Sequence, residues 1–162
     1  MALLKNGQFV KDLWRRLEDG EDPLIVEYPL ISLTTWKANK VSLGDLNRPL
    51  GIRLQAEEAP EEIGESIDRF SLIAVDFPIF SDGRGLSSAR LLRERYGYRN
   101  ELRAVGDIRR DQYLFLLRCG FDSFEVNDKI DLDEWSNAVK EVSVFYQPAA
   151  DESPWVIRRR HP

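Results

Sequence analysis

The sequence predicts an α/β fold: four consecutive βα units forming a parallel sheet, half-barrel-like or open, with an N-terminal β-containing extension. Three observations predict it. From Gly51 onward, short apolar runs alternate with segments of helical spacing, the order that carries a chain through parallel strands and their covering helices. Punctuating residues fall at the joins, with Pro60 at the start of one helical segment and Gly97 and Gly120 at the ends of two others. The strand-like runs also carry Arg53, Arg103 and Glu125 among apolar neighbours. Because side chains alternate along a strand, one face reads as apolar and helix-covered and the other as charged.

The elements follow in order. Gly51-Ile-Arg-Leu-Gln55 is the first strand, and its helix starts near Pro60, whose ring suits a first turn, with Glu61 and Glu62 at the positive end. The second strand is Leu72-Ile-Ala-Val-Asp-Phe77, followed by a helix over residues 87–96 that stops at Gly97. Leu102-Arg-Ala-Val-Gly106 is the third, with a helix over 109–118 ending at Gly120. Residues 121–126 form the fourth, and a helix over 131–144 places Leu132, Trp135, Val139 and Val142 on one face. Before Gly51 lie an amphipathic piece around residues 9–17 and an apolar run over 24–33 that reads as one or two strands interrupted at Pro29, fitting an edge or a bend. Residues 1–50 are thus expected as an extension packed on the core, 51–147 as the βα-repeat core of a single domain, and 148–162 as an irregular tail. In that tail Trp155-Val-Ile157 offers a docking segment, and Arg158, Arg159 and Arg160 stay solvated.

Composition narrows the chemistry. The 162 residues suit one domain, and 43% hydrophobic with 31% charged residues is globular usage. No run approaches the roughly 18 apolar residues of a membrane span, so no membrane partner is expected. The N-terminus lacks the pattern of a secretory signal, which makes the cytoplasm the expected location. A single cysteine, Cys119, excludes an internal disulfide and cannot supply the thiolates of an iron-sulfur cluster or a structural zinc. The one histidine, His161, leaves neither a His-rich metal site nor a Ser-His-Asp triad, so no metal is expected. A net charge of −5 argues against nucleic acid as a partner.

Ligands of parallel α/β sheets lie beyond the carboxyl ends of the strands, which directs attention to Gln55, Asp76, residues 77–84, residues 106–110, Asn127 and Asp128. In the loop Ser81 to Ser88, Gly83 and Gly85 let backbone approach a ligand, Arg84 can fork onto an oxyanion, and Ser87 and Ser88 stand at a helix start: the parts of an anion-binding cradle. The same residues also read as a tight turn in which Asp82 caps the backbone, a serine caps the helix and Arg84 pairs with Asp82 or Asp107, or as a protein contact. Asp82, Arg84, Asp107 and Arg109 are the candidate catalytic residues, with Asp107 either an acid or base beside Arg109 or a helix cap. The glycines partly imitate a dinucleotide fingerprint with Asp107 as the ribose acid, but residues 77–82 separate them from the strand and the third small position is Ser88. No cofactor is expected, and flavin or nicotinamide is the minor alternative. Cys119 reads as a small buried hydrophobe or a reactive thiol. Arg53, Arg103 and Glu125 form an internal charge network, an anion site or a subunit contact of a homo-oligomer.

Several of these segments share a pattern with one family. Phe77-Pro-x-Phe80-x-Asp82-Gly-Arg84, Ser87-x-Ala89-Arg90, Leu92-Arg93-x-Arg95-x-Gly97-Tyr98, Glu101-Leu-Arg-Ala104-x-Gly106-Asp107-Ile108, Asp111-Gln112 and Arg118-Cys-Gly-Phe-Asp122-x-Phe124 together resemble the bacterial domain of unknown function 934 family. The close match covers about residues 72–126. The resemblance implies an accessory role in assimilatory sulfate and sulfite reduction for cysteine biosynthesis, beside the sulfite reductase haemoprotein or its electron donor, or with a small anion. It carries an oxidoreductase label but no catalytic mechanism. The alternatives are a βα-barrel-like enzyme or flavin- or nicotinamide-dependent oxidoreductase acting on a small oxyanion or phosphorylated metabolite, and a structural oligomeric module.

Overall fold

A computed structural model describes residues 1–18, 20–142, 145, 149 and 150. Eight strands make one sheet: β1 (Ala2–Lys5), β2 (Gln8–Val10), β3 (Arg15–Arg16), β4 (Pro29–Ser32), β5 (Gly51–Leu54), β6 (Leu72–Phe77), β7 (Glu101–Gly106) and β8 (Ser123–Val126). Their spatial order is β2-β1-β8-β7-β6-β5-β4-β3. Pairs from β3 to β8 are parallel, whereas β1 runs antiparallel to both β8 and β2. The sheet is therefore mixed, which corrects the expectation of an all-parallel one. The reason is local: Asn6 and Gly7, at φ 53° and 73°, form a tight turn that the asparagine-glycine pair favours, and a two-residue hairpin joins only antiparallel strands.

The topology also forces the sheet to curl. Strands β2 and β3 sit at opposite edges of the sheet, yet residues 11–14 alone connect them. In a flat sheet, seven spacings of about 4.8 Å would hold those edges roughly 34 Å apart. The five steps from Val10 to Arg15 reach at most about 18 Å. The sheet accordingly curls into a half-barrel, and residues 11–14 form a strap across its open side.

The pleat sorts the side chains. Ile52, Leu54, Ile73, Val75, Phe77, Leu102, Ala104 and Phe124 point outward into the main core, where they meet Trp36, Leu92, Tyr113, Leu116 and Trp135 from the covering segments. The alternate residues Leu30, Leu72, Ala74 and Val105 point inward and gather around Trp14 of the strap. Consecutive parallel strands joined by right-handed crossovers place their connections on a single face, as this division requires.

The helices are shorter than the sequence predicts. They are α1 (Leu33–Ala38), α2 (Lys40–Gly44), α3 (Arg84–Arg90), α4 (Tyr113–Arg118) and α5 (Leu132–Lys140). Between β5 and β6 the expected helix is replaced by two 3-10 segments, Pro60–Glu62 and Gly64–Arg69, with Gly64 at φ +71° breaking the helical run. Helix α3 starts three residues before the predicted Ser87 and passes into a π turn over Leu91–Arg95. A 3-10 turn, Arg110–Gln112, precedes α4. Asp131 caps α5 by accepting from the Asp133 and Glu134 amides, as an N-cap should. Pro29 opens β4, one strand in from the edge, at the position where a missing N–H costs least. Helix α5 ends at Lys140, so Val142 of the predicted helical face stands beyond it. Residues 143 and 144 of that predicted helix, the docking segment at Trp155, the three tail arginines and His161 lie outside the described residues.

Part of the family-like pattern is scaffold. Arg93 donates to the carbonyls of Gly120 (2.9 Å), Tyr98 (2.6 Å) and Asn100 (3.0 Å) and to the Asp122 carboxylate (2.5 Å), fastening the approaches to β7 and β8 together. Gly120 must lack a side chain there, since a Cβ would stand 2.6 Å from Arg93 Cγ. Cys119 is half-buried and packs against the main core.

Candidate functional site

The carboxyl ends of β6 and β7 rise into a crest. Asp107 donates its amide to the Phe77 carbonyl (2.7 Å), and its carboxylate accepts the Phe80 amide (3.1 Å). Gln112 donates its side-chain amide to the Phe80 carbonyl. Arg109 reaches back to Asp107 (3.2 Å) and lies 3.7 Å over the Phe80 ring, a cation-π stack. Gly106 permits this closeness: it sits at φ +101°, and a Cβ would meet the Phe77 carbonyl oxygen at 2.3 Å. Hydrogen bonding from Arg109 holds the Asp107 carboxyl below its ordinary range, so it is a charged fastener at neutral pH. Ile79 and Phe80 remain 57% and 42% exposed at the top.

Beside the crest, the loop Ser81 to Ser88 is organised by Asp82. Its carboxylate accepts the Arg84 amide (3.1 Å) and both Nε (3.0 Å) and Nη2 (2.6 Å) of the Arg84 guanidinium. Those hydrogen bonds push the Asp82 carboxyl down to about 2. Asp82, Gly83 and Arg84 thus share one turn in which the arginine fork is occupied by an internal carboxylate. Gly85 is buried against Phe77, whose ring would lie 2.6 Å from a Cβ, so its missing side chain serves packing. Ser87 and Ser88 lie inside α3 and not at its start, which corrects their expected capping role: the Asp82 turn starts the helix at Arg84 instead. Asp107 and Arg109 join this loop through Phe80.

On the inner face, two arginines in register through Ala74 have different surroundings. Arg103 is 2% exposed. It donates Nη1 to Asp12 of the strap (2.8 Å) and Nη2 (2.9 Å) and Nε (3.3 Å) to Glu101. Glu101 also accepts from Ser123 (2.7 Å) and Lys5 (2.6 Å). Burial pushes the Glu101 carboxyl up, but the hydrogen bonds from Lys5, Ser123 and Arg103 more than offset it, leaving it below its ordinary range. Trp14 seals this end, so close to Gly51 that a Cβ there would meet its ring at 2.9 Å. The Glu125 side chain makes no hydrogen bond or ion pair among the described residues, since it stands opposite Leu3, one pleat beyond the cluster. The network therefore joins Arg103 to Glu101 and Asp12, and Glu125 is outside it.

Among the described residues the Arg53 side chain makes a single hydrogen bond, Nη2 to Asp76 (2.8 Å), and it faces a cleft of about 230 Å³ at the carboxyl ends of β3 to β6. Arg16, Glu18, Ser32, Gln55 and Asp76 share its lining. Gln55 and Asp76 are legible from strand-end position. Arg16 and Glu18 are not, because their place depends on β3 joining the far edge. Among the described residues no group of three or more His, Cys, Asp or Glu side chains is placed to hold a metal ion, and no helix is long and apolar enough to cross a membrane.

A family model described as "Bacterial protein of unknown function (DUF934)" matches residues 51–156, from the first strand of the predicted core into the tail. No curated protein matches the chain.

Proposed function

The chain belongs to the DUF934 family, and we propose that it is a cytoplasmic accessory protein of assimilatory sulfite reduction, serving cysteine biosynthesis by docking on the sulfite reductase haemoprotein or its electron donor. The pathway is what the resemblance over residues 72–126 implies, and the crest falls inside that stretch. The observation that carries docking is the exposed Ile79 and Phe80 pair, held in place by Asp107, Arg109 and Gln112. Aromatic anchors fixed before binding lose little conformational freedom on association, and such residues dominate interface energetics. Arg84 is neutralised by Asp82 in the same loop, which favours a protein contact there over an oxyanion cradle. Gly85 is filled by the Phe77 ring, which counts toward an accessory role over dinucleotide binding at this loop.

A strain lacking the gene tests the reading. Growth should fail or slow with sulfate as sulfur source and recover with cysteine, and wild-type protein should restore it. Phe80→Asp should fold with an unchanged melting temperature yet fail to restore growth or to retain the reductase in a pull-down. Normal growth of the deletion strain on sulfate contradicts the pathway, and full rescue by Phe80→Asp contradicts the crest.

A further inference from the structure

The cleft at the carboxyl ends of β3 to β6 presents both signs of charge without using them up. Arg53 commits only Nη2, to one oxygen of Asp76, and its Nε and Nη1 make no hydrogen bond among the described residues. The second oxygen of Asp76 accepts none. The Arg16 side chain makes no hydrogen bond among the described residues either, and Glu18, Ser32, Gln55 and the apolar Leu30 also line the cleft. Arg53 and Asp76 are held on adjacent strands with side chains 20% and 19% exposed, so they meet the cleft from a rigid base.

From this we propose that the cleft binds a small zwitterion, an α-amino acid with both its ammonium and its carboxylate free. Charge balance selects that class. Two guanidinium groups face two carboxylates, so an inorganic dianion would meet Asp76 and Glu18, and a bare cation would meet Arg16 and Arg53. A ligand carrying both signs pairs with each: its carboxylate against one spare Arg53 N–H and Arg16, its ammonium against the spare Asp76 oxygen. The size agrees, because about 230 Å³ falls below the roughly 300–1,000 Å³ of sites for drug-sized ligands. This inference stands apart from the docking crest and from the pathway.

The full chain should be titrated by calorimetry, and melted, with each of the standard amino acids, with the N-acetyl and amide forms of any that bind, and with sulfate, sulfite and phosphate. At least one free amino acid should bind one to one at millimolar concentration or below and raise the melting temperature. Blocking either of its charged ends should weaken binding about tenfold or more, the cost of one charged hydrogen bond. Arg53→Gln should do the same, and Arg16→Gln, at an exposed side chain with no bond to lose, gives a reading independent of folding. Binding by no amino acid, binding by the inorganic anions alone, or affinity unchanged in both variants overturns the proposal.

Discussion

Arg53 and Arg103 stand on one face of one sheet, in register through Ala74, and they are put to opposite uses. Arg103 has each guanidinium nitrogen bonded, lies under the strap and is 2% exposed, whereas Arg53 keeps two nitrogens unbonded among the described residues and looks into the cleft. An arginine with every nitrogen bonded to the chain and no cavity beside it holds the chain together. One with spare donors beside a cavity can also hold something else. The dividing wall is Trp14, which packs over Gly51 and Leu30 and closes one end of the half-barrel while leaving the strand ends open.

The largest effect that would break this contrast comes from Arg103→Met. Removing it leaves Asp12 without its cation and Glu101 with Lys5 alone, and breaking a buried pair costs about 3–5 kcal/mol. Urea unfolding should show that loss for Arg103→Met and less than half of it for Arg53→Met. Equal losses would mean that both arginines are structural. Next comes Trp14→Ala, expected to cost about 2–3 kcal/mol, below the roughly 3–5 of a fully buried tryptophan because Trp14 is half-buried. The same variant should open the sealed end and speed solvent exchange at Arg103.

A pH series probes the sealed end more gently. Glu101 has its carboxyl lowered in the folded chain from an ordinary value of 4.5, so its charge stabilises the fold above that pH. The contribution is lost as pH falls from there through the lowered folded value. Glu101→Gln should therefore flatten the fall of the urea midpoint over that acid range, and an unchanged slope would remove Glu101 from the network's energetics. The smallest effect is in the loop beside the crest. Arg84 pairs with Asp82 at the surface, its own side chain 59% exposed, and Arg84→Ala should leave the unfolding midpoint nearly where it was, since surface pairs add little.

What was legible in the sequence was local. The run Leu72-Ile-Ala-Val-Asp-Phe77 is bounded and apolar, and it is a strand over those same residues. The alternation around Arg53 and Arg103 marks a second face, which the pleat provides. Asn6-Gly7 carries a hairpin signal between apolar runs, but its antiparallel consequence for the whole sheet depends on β1 finding β8. Asp12 meets Arg103 across 91 residues, and Arg16 reaches the cleft only because β3 lands beside β4. No local periodicity encodes such pairings. At the candidate site, Asp82 and Arg84 were visible as a pair, Asp107 and Arg109 as neighbours, and Gln55 and Asp76 as strand ends. The strap and the cleft were not visible, because each is made by the curl.

The contrast between the two arginines is most directly measured on their side-chain Nε–Hε resonances in nitrogen-15-labelled protein. The expected result is slow solvent exchange at Arg103 and fast exchange at Arg53. Titrating in an amino acid that binds should then shift the Arg53 resonance while Arg103 stays in place. An Arg53 resonance as protected as that of Arg103 in the free protein, or an Arg103 resonance that moves with the ligand while Arg53 does not, would contradict the division of the inner face into a sealed end and a binding end.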